Sequence, residues 1–259
     1  MARPTLALAD PADDDQLCEA IDAAGPDEAA AVLRLVTHPS ADVRHAVACI
    51  LPHLTDDDPG AELVAAGIAL SGDPVPRVRD WACFALGQQW RDVDTPAVRE
   101  ALAARLDDID VDTRFEALAG LAYRRDARAL PRVEKELSRA DGNVFRLAMI
   151  AAGALGDPAL HDLALRHRTG WDSPENDRTA DAVCRLTDPL GPGEDLLQGV
   201  AAMVRRRSRD RDPGRQLVWW HLFLELCAIA PHRTDDLYDA VLVRLSGDEQ
   251  ASRYLEALR

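Results

Sequence analysis

Four arginines recur along the chain at nearly constant spacing: Arg44, Arg79, Arg114 and Arg146, in steps of 35, 35 and 32 residues. Each opens a run of small and aliphatic residues. HAVACILPHL follows Arg44, DWACFALG follows Arg79, FEALAGLA follows Arg114 and LAMIAAGALGD follows Arg146. The clearest copy is Asp73 to Gly87, DPVPRVRDWACFALG, a turn that leads through Val-Arg into a small-residue helix ending in Leu-Gly. A fixed period of this length is the signature of stacked helical hairpins, each of which buries its apolar face only against its neighbours.

The rest of the chain is laid out around that period. An N-terminal arm, residues 1–12, and a short capping helix, Asp13 to Ala24, occupy residues 1–26, with acids at the positive end of the helix. Gly25-Pro26 stops it. Four hairpins follow, Asp27 to Leu54, Ala61 to Trp90, Thr95 to Arg124 and Ala127 to Gly156, each an outer helix and then an arginine-led inner helix. Pro39 and Pro52 bound the first inner helix, and Thr95-Pro96 starts the third outer one with a capping hydroxyl and a proline at the first helical position. The motif PALHDLALRHR is read as a fifth outer helix, closing the repeats at 27–168. Beyond it, 169–259 holds a polar connection from Gly170 to Asn176, a helix from Arg178 to Leu186, a Pro/Gly linker from Leu190 to Glu194, a hydrophobic hairpin to Ile229 and a closing helix pair. Terminal repeats are atypical because one of their faces meets no neighbour. No segment alternates with period two, so the expected class is all-α, an α-α superhelix of stacked antiparallel helix pairs.

Composition narrows the function. The formal charge is −15 with 45 acids against 30 bases, which disfavours a phosphate backbone and favours a cationic protein partner. Five cysteines, Cys18, Cys49, Cys83, Cys184 and Cys227, are odd in number and form no CxxC pair, the pattern of buried thiols in a reducing compartment. MARPTLALADPADDD lacks the apolar core and cleavage site of a signal peptide, and the longest near-apolar run, Leu217 to Ala230, is interrupted and too short to span a bilayer. The expected location is therefore the cytoplasm, away from membranes.

The inner-helix pattern, Val43-Arg44, Val78-Arg79-Asp80-Trp81-Ala82, Leu86-Gly87 and Ala154-Leu155-Gly156-Asp157, resembles the HEAT repeat family, in particular the bacterial HEAT-like repeats also found in phycobilisome-lyase proteins. The resemblance covers about residues 27–168. It implies a HEAT-like solenoid whose task is to bind, and fold alone names no partner.

Aligning the inner helices on their arginines separates two faces. Positions three, six and seven after each arginine are Val47, Ile50 and Leu51; Ala82, Ala85 and Leu86; Ala117, Gly120 and Leu121; and Met149, Ala152 and Gly153. All are apolar or small and form the expected core face. Positions one, two, five and nine are mixed and supply the candidate partner-binding residues: His45, His53, Asp80, Trp81, Phe84, Gln88, Glu116 and Tyr123. Tryptophan and tyrosine beside acids suit capture of an arginine-rich segment through cation–π contact and charge. The recurrent arginines are expected to bridge to an acid or a loop carbonyl of the adjacent repeat. Asp42, Asp73, Asp110 and Asp112 read as helix N-terminal caps.

Catalytic constellations are not legible. His45, Cys49 and His53 stand at i, i+4 and i+8, but Pro52 interrupts the helix and no fourth ligand is evident, so no metal and no cofactor is expected. HEAT-like metal hydroxylases use His-Glu pairs, whereas this chain has His45-Ala46. HEAT-like DNA glycosylases pair tryptophan with aspartate, which Asp80-Trp81 resembles loosely, but on basic scaffolds. The run Arg205-Arg206-Arg207-Ser208-Arg209-Asp210-Arg211 reads as a solvated helix end. In Trp219-Trp220, one ring is expected in the core and its neighbour on a seam. The expectation is a non-enzymatic, protein-binding scaffold or adaptor whose acidic, aromatic-bearing concave face holds a basic segment of a partner, an immunity-type inhibitor of a basic toxin being one concrete version. The alternative is a HEAT-like enzyme or enzyme subunit of lyase or DNA-repair type.

Overall fold

In the computed structural model, Leu6, Asp10 and residues 13–56, 58–140 and 142–259 are described; the arm at 1–12 otherwise lies outside the described residues. Among them the fold is all-α, a series of helical repeats with fifteen α-helices and no strand. They are α1 (Asp14–Asp22), α2 (Ala29–Leu33), α3 (Ala41–Ile50), α4 (Ala61–Ser71), α5 (Pro76–Phe84), α6 (Pro96–Ala103), α7 (Val111–Tyr123), α8 (Leu130–Leu137), α9 (Arg146–Leu155), α10 (His161–Leu165), α11 (Pro174–Thr187), α12 (Glu194–Arg207), α13 (Leu217–Ile229), α14 (Thr234–Arg244) and α15 (Glu249–Glu256). The chain divides into two compact units, Met1–Arg132 and Val133–Arg259, with the division inside α8.

In the first unit the arginine-led helices α3, α5 and α7 lie side by side, α1 closes the free side of α3, and α4 and α6 form the outer layer. In the second unit α9, α11 and α13 pack in sequence, and α12 carries α13, α14 and α15 against it. The residues three, six and seven positions after each arginine are all buried, from Val47, Ala82 and Ala117 to Met149. Burying a branched aliphatic side chain is worth about 1.5–3 kcal/mol, so this repeated face is the main source of stacking energy.

Helix ends follow local chemistry. Asp13 caps α1 by accepting from the Gln16 amide, Thr95 caps α6 ahead of Pro96, and Ser173 caps α11 ahead of Pro174. The Ser173 cap starts α11 at Pro174, four residues earlier than the apolar pattern beginning at Arg178 suggests. The outer helices are short: α2 and α10 have five residues each, preceded by 3-10 turns at Pro26–Glu28 and Pro158–Leu160. Of the four aspartates expected as caps, Asp110 alone does so, accepting from the Thr113 amide and hydroxyl. Asp42 and Asp112 lie inside the first turns of α3 and α7, where they meet the helix dipole. Asp73 lies ahead of α5, whose N-cap position, Val75, is left without a side-chain acceptor.

Asp73 instead joins two repeats. Arg44 donates from Nε to Asp73 Oδ2 at 2.7 Å, twenty-nine residues on, while its NH1 binds the carbonyls of His38 and Pro39 in its own turn at 2.8 and 3.0 Å. Arg79 repeats this geometry with Asp108, also twenty-nine residues on, at 2.8 Å, and with the carbonyls of Asp73 and Pro74. Each aspartate also accepts the amide two residues later, Val75 or Asp110. Burial is the largest influence on both aspartates and raises them, but the arginine hydrogen bond, the backbone amide and the arginine charges together outweigh it and hold them below the ordinary carboxylate range. The turns before α5 and α7 are thus each gripped by their own arginine, Arg79 or Arg114, through carbonyls and by the preceding arginine through a carboxylate; Arg146 does not repeat this and reaches the Thr179 hydroxyl instead.

A second join lies between α5 and α7. After Phe84, α5 continues as a π turn, Ala85–Gln89, closed by the Trp90 amide donating to Ala85 O at 2.9 Å. The buried Arg124 guanidinium collects the carbonyls around it, donating to Leu86 O at 2.7 Å, Trp90 O at 2.8 Å, Val93 O at 2.9 Å and Gly120 O at 2.8 Å. Gly87 and Gly120 let the backbones touch there: a Cβ on Gly120 would sit 2.6 Å from the Gly87 Cα.

Candidate partner-binding face

Six of the eight sequence-predicted residues are brought together on the inner layer of the first unit. His45 projects from α3, Asp80, Trp81 and Phe84 from α5, Gln88 from the π turn and Glu116 from α7. The three rings form an edge-to-face row, His45 to Trp81 at 6.4 Å and Trp81 to Phe84 at 5.5 Å between centroids. Trp81 remains 38% exposed at its centre, so it is neither a core residue nor a freely solvated one. Edge-to-face packing holds its ring in place and leaves part of its surface exposed.

Next to the rings lie the carboxylates. Gln88 Nε2 donates to Glu116 Oε2 at 2.7 Å, a contact that the Gly87–Gly120 approach makes possible. Burial pushes the Glu116 carboxyl up to about 7; the Gln88 hydrogen bond opposes this, and the neighbouring charges of Asp80 and Asp112 add to it. Asp80 is raised to about 6, first by burial and then by Asp112 and Asp110. His45 is shifted the other way, by burial and by Arg77, which pairs with Asp42. The face therefore presents acids that share too little solvent and too little positive charge.

The two remaining residues lie at helix ends. His53 sits exposed on the 3-10 turn Leu51–His53, and Tyr123 closes α7 with the Arg91 guanidinium 5.5 Å from its ring centroid. Arg91 thus already occupies a face of the tyrosine. Asp112 is the residue that sequence reasoning assigned elsewhere: it stands four before Glu116, one turn away on the same helical face, and that spacing was the available signal.

Other sequence features resolve differently. Cys49 Sγ lies 3.6 Å from His45 Nε2, and burial raises its thiol to about 11, away from the thiolate. Among the described residues no group of three or more metal-ligating side chains gathers at one point. The basic run lies largely exposed at the C-terminal end of α12, as expected, with Arg209 on Asp248 at 2.9 Å and Arg205 donating to Arg244 O. Trp219 and Trp220 are both half-buried, Trp219 over Gly199 and Trp220 stacked on Phe223 at 5.5 Å, so neither ring is wholly in the core. No described helix is long and apolar enough to cross a membrane.

No family model matches the chain. Two curated relatives, the YibA proteins of Escherichia coli K12 and of Escherichia coli O157:H7, are 33% identical to it over 121 residues, 47% of this chain. The match spans 40% of each relative, so the chain covers about two fifths of their length. The crystal structure of Escherichia coli YibA aligns at 25% identity with a TM-score of 0.54, covering 69% of this chain and 65% of that one. These names state no activity, and the likeness is one of sequence over half the chain and of helical architecture over more of it.

Proposed function

We propose that the chain is a HEAT-like binding scaffold whose first unit holds an arginine-bearing segment of a partner protein. The observation that carries this reading is the half-exposed Trp81, braced by His45 and Phe84, beside Asp80 and Glu116 with pKa values raised to about 6 and 7. A guanidinium placed there stacks on the indole and neutralises carboxylates that burial leaves under-solvated, two contributions that act on the same group. A Lys ammonium satisfies the charge but not the planar stack. The net charge of −15 adds long-range attraction for a basic segment. The thiol–imidazole contact at this face, Cys49 Sγ to His45 Nε2 at 3.6 Å, does not favour an enzymatic role, because burial raises the thiol to about 11 and keeps it protonated.

The test is fluorescence anisotropy with a labelled arginine–glycine peptide and its lysine–glycine counterpart. The arginine peptide should bind more tightly, weaken as salt rises, and lose at least about tenfold in affinity, roughly 1.4 kcal/mol, when Trp81→Ala and Glu116→Gln are combined. Equal binding of both peptides, or an unchanged affinity in the double variant with its fold intact, overturns the reading.

A further inference from the structure

The second unit contains a cleft of about 760 Å³ that the partner-binding face does not use. One wall is the turn leading into α9, with Asn143, Phe145 and Arg146; the other is the α10–α11 connection, with Arg166, His167 and Trp171. The second wall is firmly built. His167 Nε2 donates to Leu137 O at 3.0 Å, the Trp171 indole donates to His167 O at 2.7 Å, and the Trp171 amide donates to Asp177 at 3.1 Å. Trp171 is therefore held half-buried at the cleft, and Phe145, which also lines it, is 42% exposed.

The arginines of the unit differ in their partners. Arg168 pairs with Asp181, Arg185 with Asp181 and Asp195, and Arg244 with Glu194. Arg146 has only a 3.5 Å contact to the Thr179 hydroxyl, and neither Arg146 nor Arg166 has an acid within ion-pair distance among the described residues. Asp172 also lines the cleft, held by Asn176, so the site is not uniformly positive. Two arginines from separate segments therefore line one cavity with no carboxylate partner among the described residues.

We propose that this cleft binds a small phosphate ester carrying a planar ring, of the nucleoside monophosphate class, with Arg146 and Arg166 on the phosphate and Trp171 beside the ring. Two guanidiniums present forked donors that match phosphate oxygens. The aromatic wall supplies a stacking surface, and the volume lies within the range of small-ligand pockets, about 300–1,000 Å³. A long nucleic acid is disfavoured because the surrounding chain is acidic.

The test uses the full chain titrated with the common ribonucleoside 5′-monophosphates, the matching nucleosides and inorganic phosphate at low salt, read by tryptophan fluorescence and calorimetry. At least one monophosphate should saturate below about 5 mM, quench fluorescence in the wild type and leave it unchanged in Trp171→Phe. The nucleoside and phosphate alone should each bind at least about tenfold more weakly. Arg146→Gln with Arg166→Gln should cost at least about tenfold, and Arg166→Gln alone serves if the pair lowers the melting temperature. Arg206→Gln, on the basic run, should change nothing. The proposal is overturned by the absence of saturable binding, by phosphate binding as tightly as the nucleotide, or by an equal loss in Arg206→Gln.

Discussion

Glu116 carries the sharpest single-residue consequence. Its carboxyl is raised to about 7 by burial and by its acidic neighbours, above the ordinary 4.5. A raised acid favours the protonated fold, so its contribution is fully present below about pH 4.5 and is lost as pH climbs through 7. Glu116→Gln keeps the neutral form at every pH and can still accept from Gln88. Denaturant unfolding should therefore show little change at pH 4.5 and a gain of roughly 1–3 kcal/mol at pH 8. An equal effect at both pH values means that the carboxylate is not strained by burial. The same shift makes binding of a cationic peptide release protons, so peptide affinity should rise between about pH 5 and 8 as Asp80 and Glu116 ionise together.

Between elements, the carboxylate clamps and the glycine contact do different work. The Arg79 and Asp108 side chains are 8% and 4% exposed, so removing one leaves the other charged and buried. Asp108→Ala should cost about 3–5 kcal/mol, whereas Asp107→Ala, which removes the exposed pair with Arg132, should cost less than about 1 kcal/mol. Gly120→Ala places a methyl 2.6 Å from Gly87 Cα and 2.9 Å from Leu102 Cδ1, neither of which can yield without moving a helix or its packing. We expect about 2–3 kcal/mol of destabilisation, and loss of peptide binding beyond that from Gln88→Ala, because the α5–α7 spacing itself positions the acids. Chemical denaturation and the anisotropy assay separate the two effects.

For the whole molecule, the two units have separate cores, and repeat proteins lose stability locally. Hydrogen exchange on Gly120→Ala should show lost protection concentrated in α4 to α7, with α11 to α13 keeping theirs. Uniform loss across both units would mean that the chain unfolds as one cooperative block.

The sequence by itself determined the class and the stacking face. A period of about 35 residues and small apolar residues at fixed offsets after Arg44, Arg79, Arg114 and Arg146 are one-dimensional signals, because neighbouring repeats bury the same positions. His45, Trp81, Phe84 and Glu116 were legible as departures from that pattern. Tertiary structure decided what each residue does with its neighbours. Asp73, placed ahead of a helix, looks like a cap locally, yet its partner Arg44 lies twenty-nine residues earlier. The π turn has no periodic signature, because the carbonyls it leaves open are satisfied by Arg124 from the next repeat. The strain on Asp80 and Glu116 depends on shared burial, a property of packed helices that no spacing along one helix encodes.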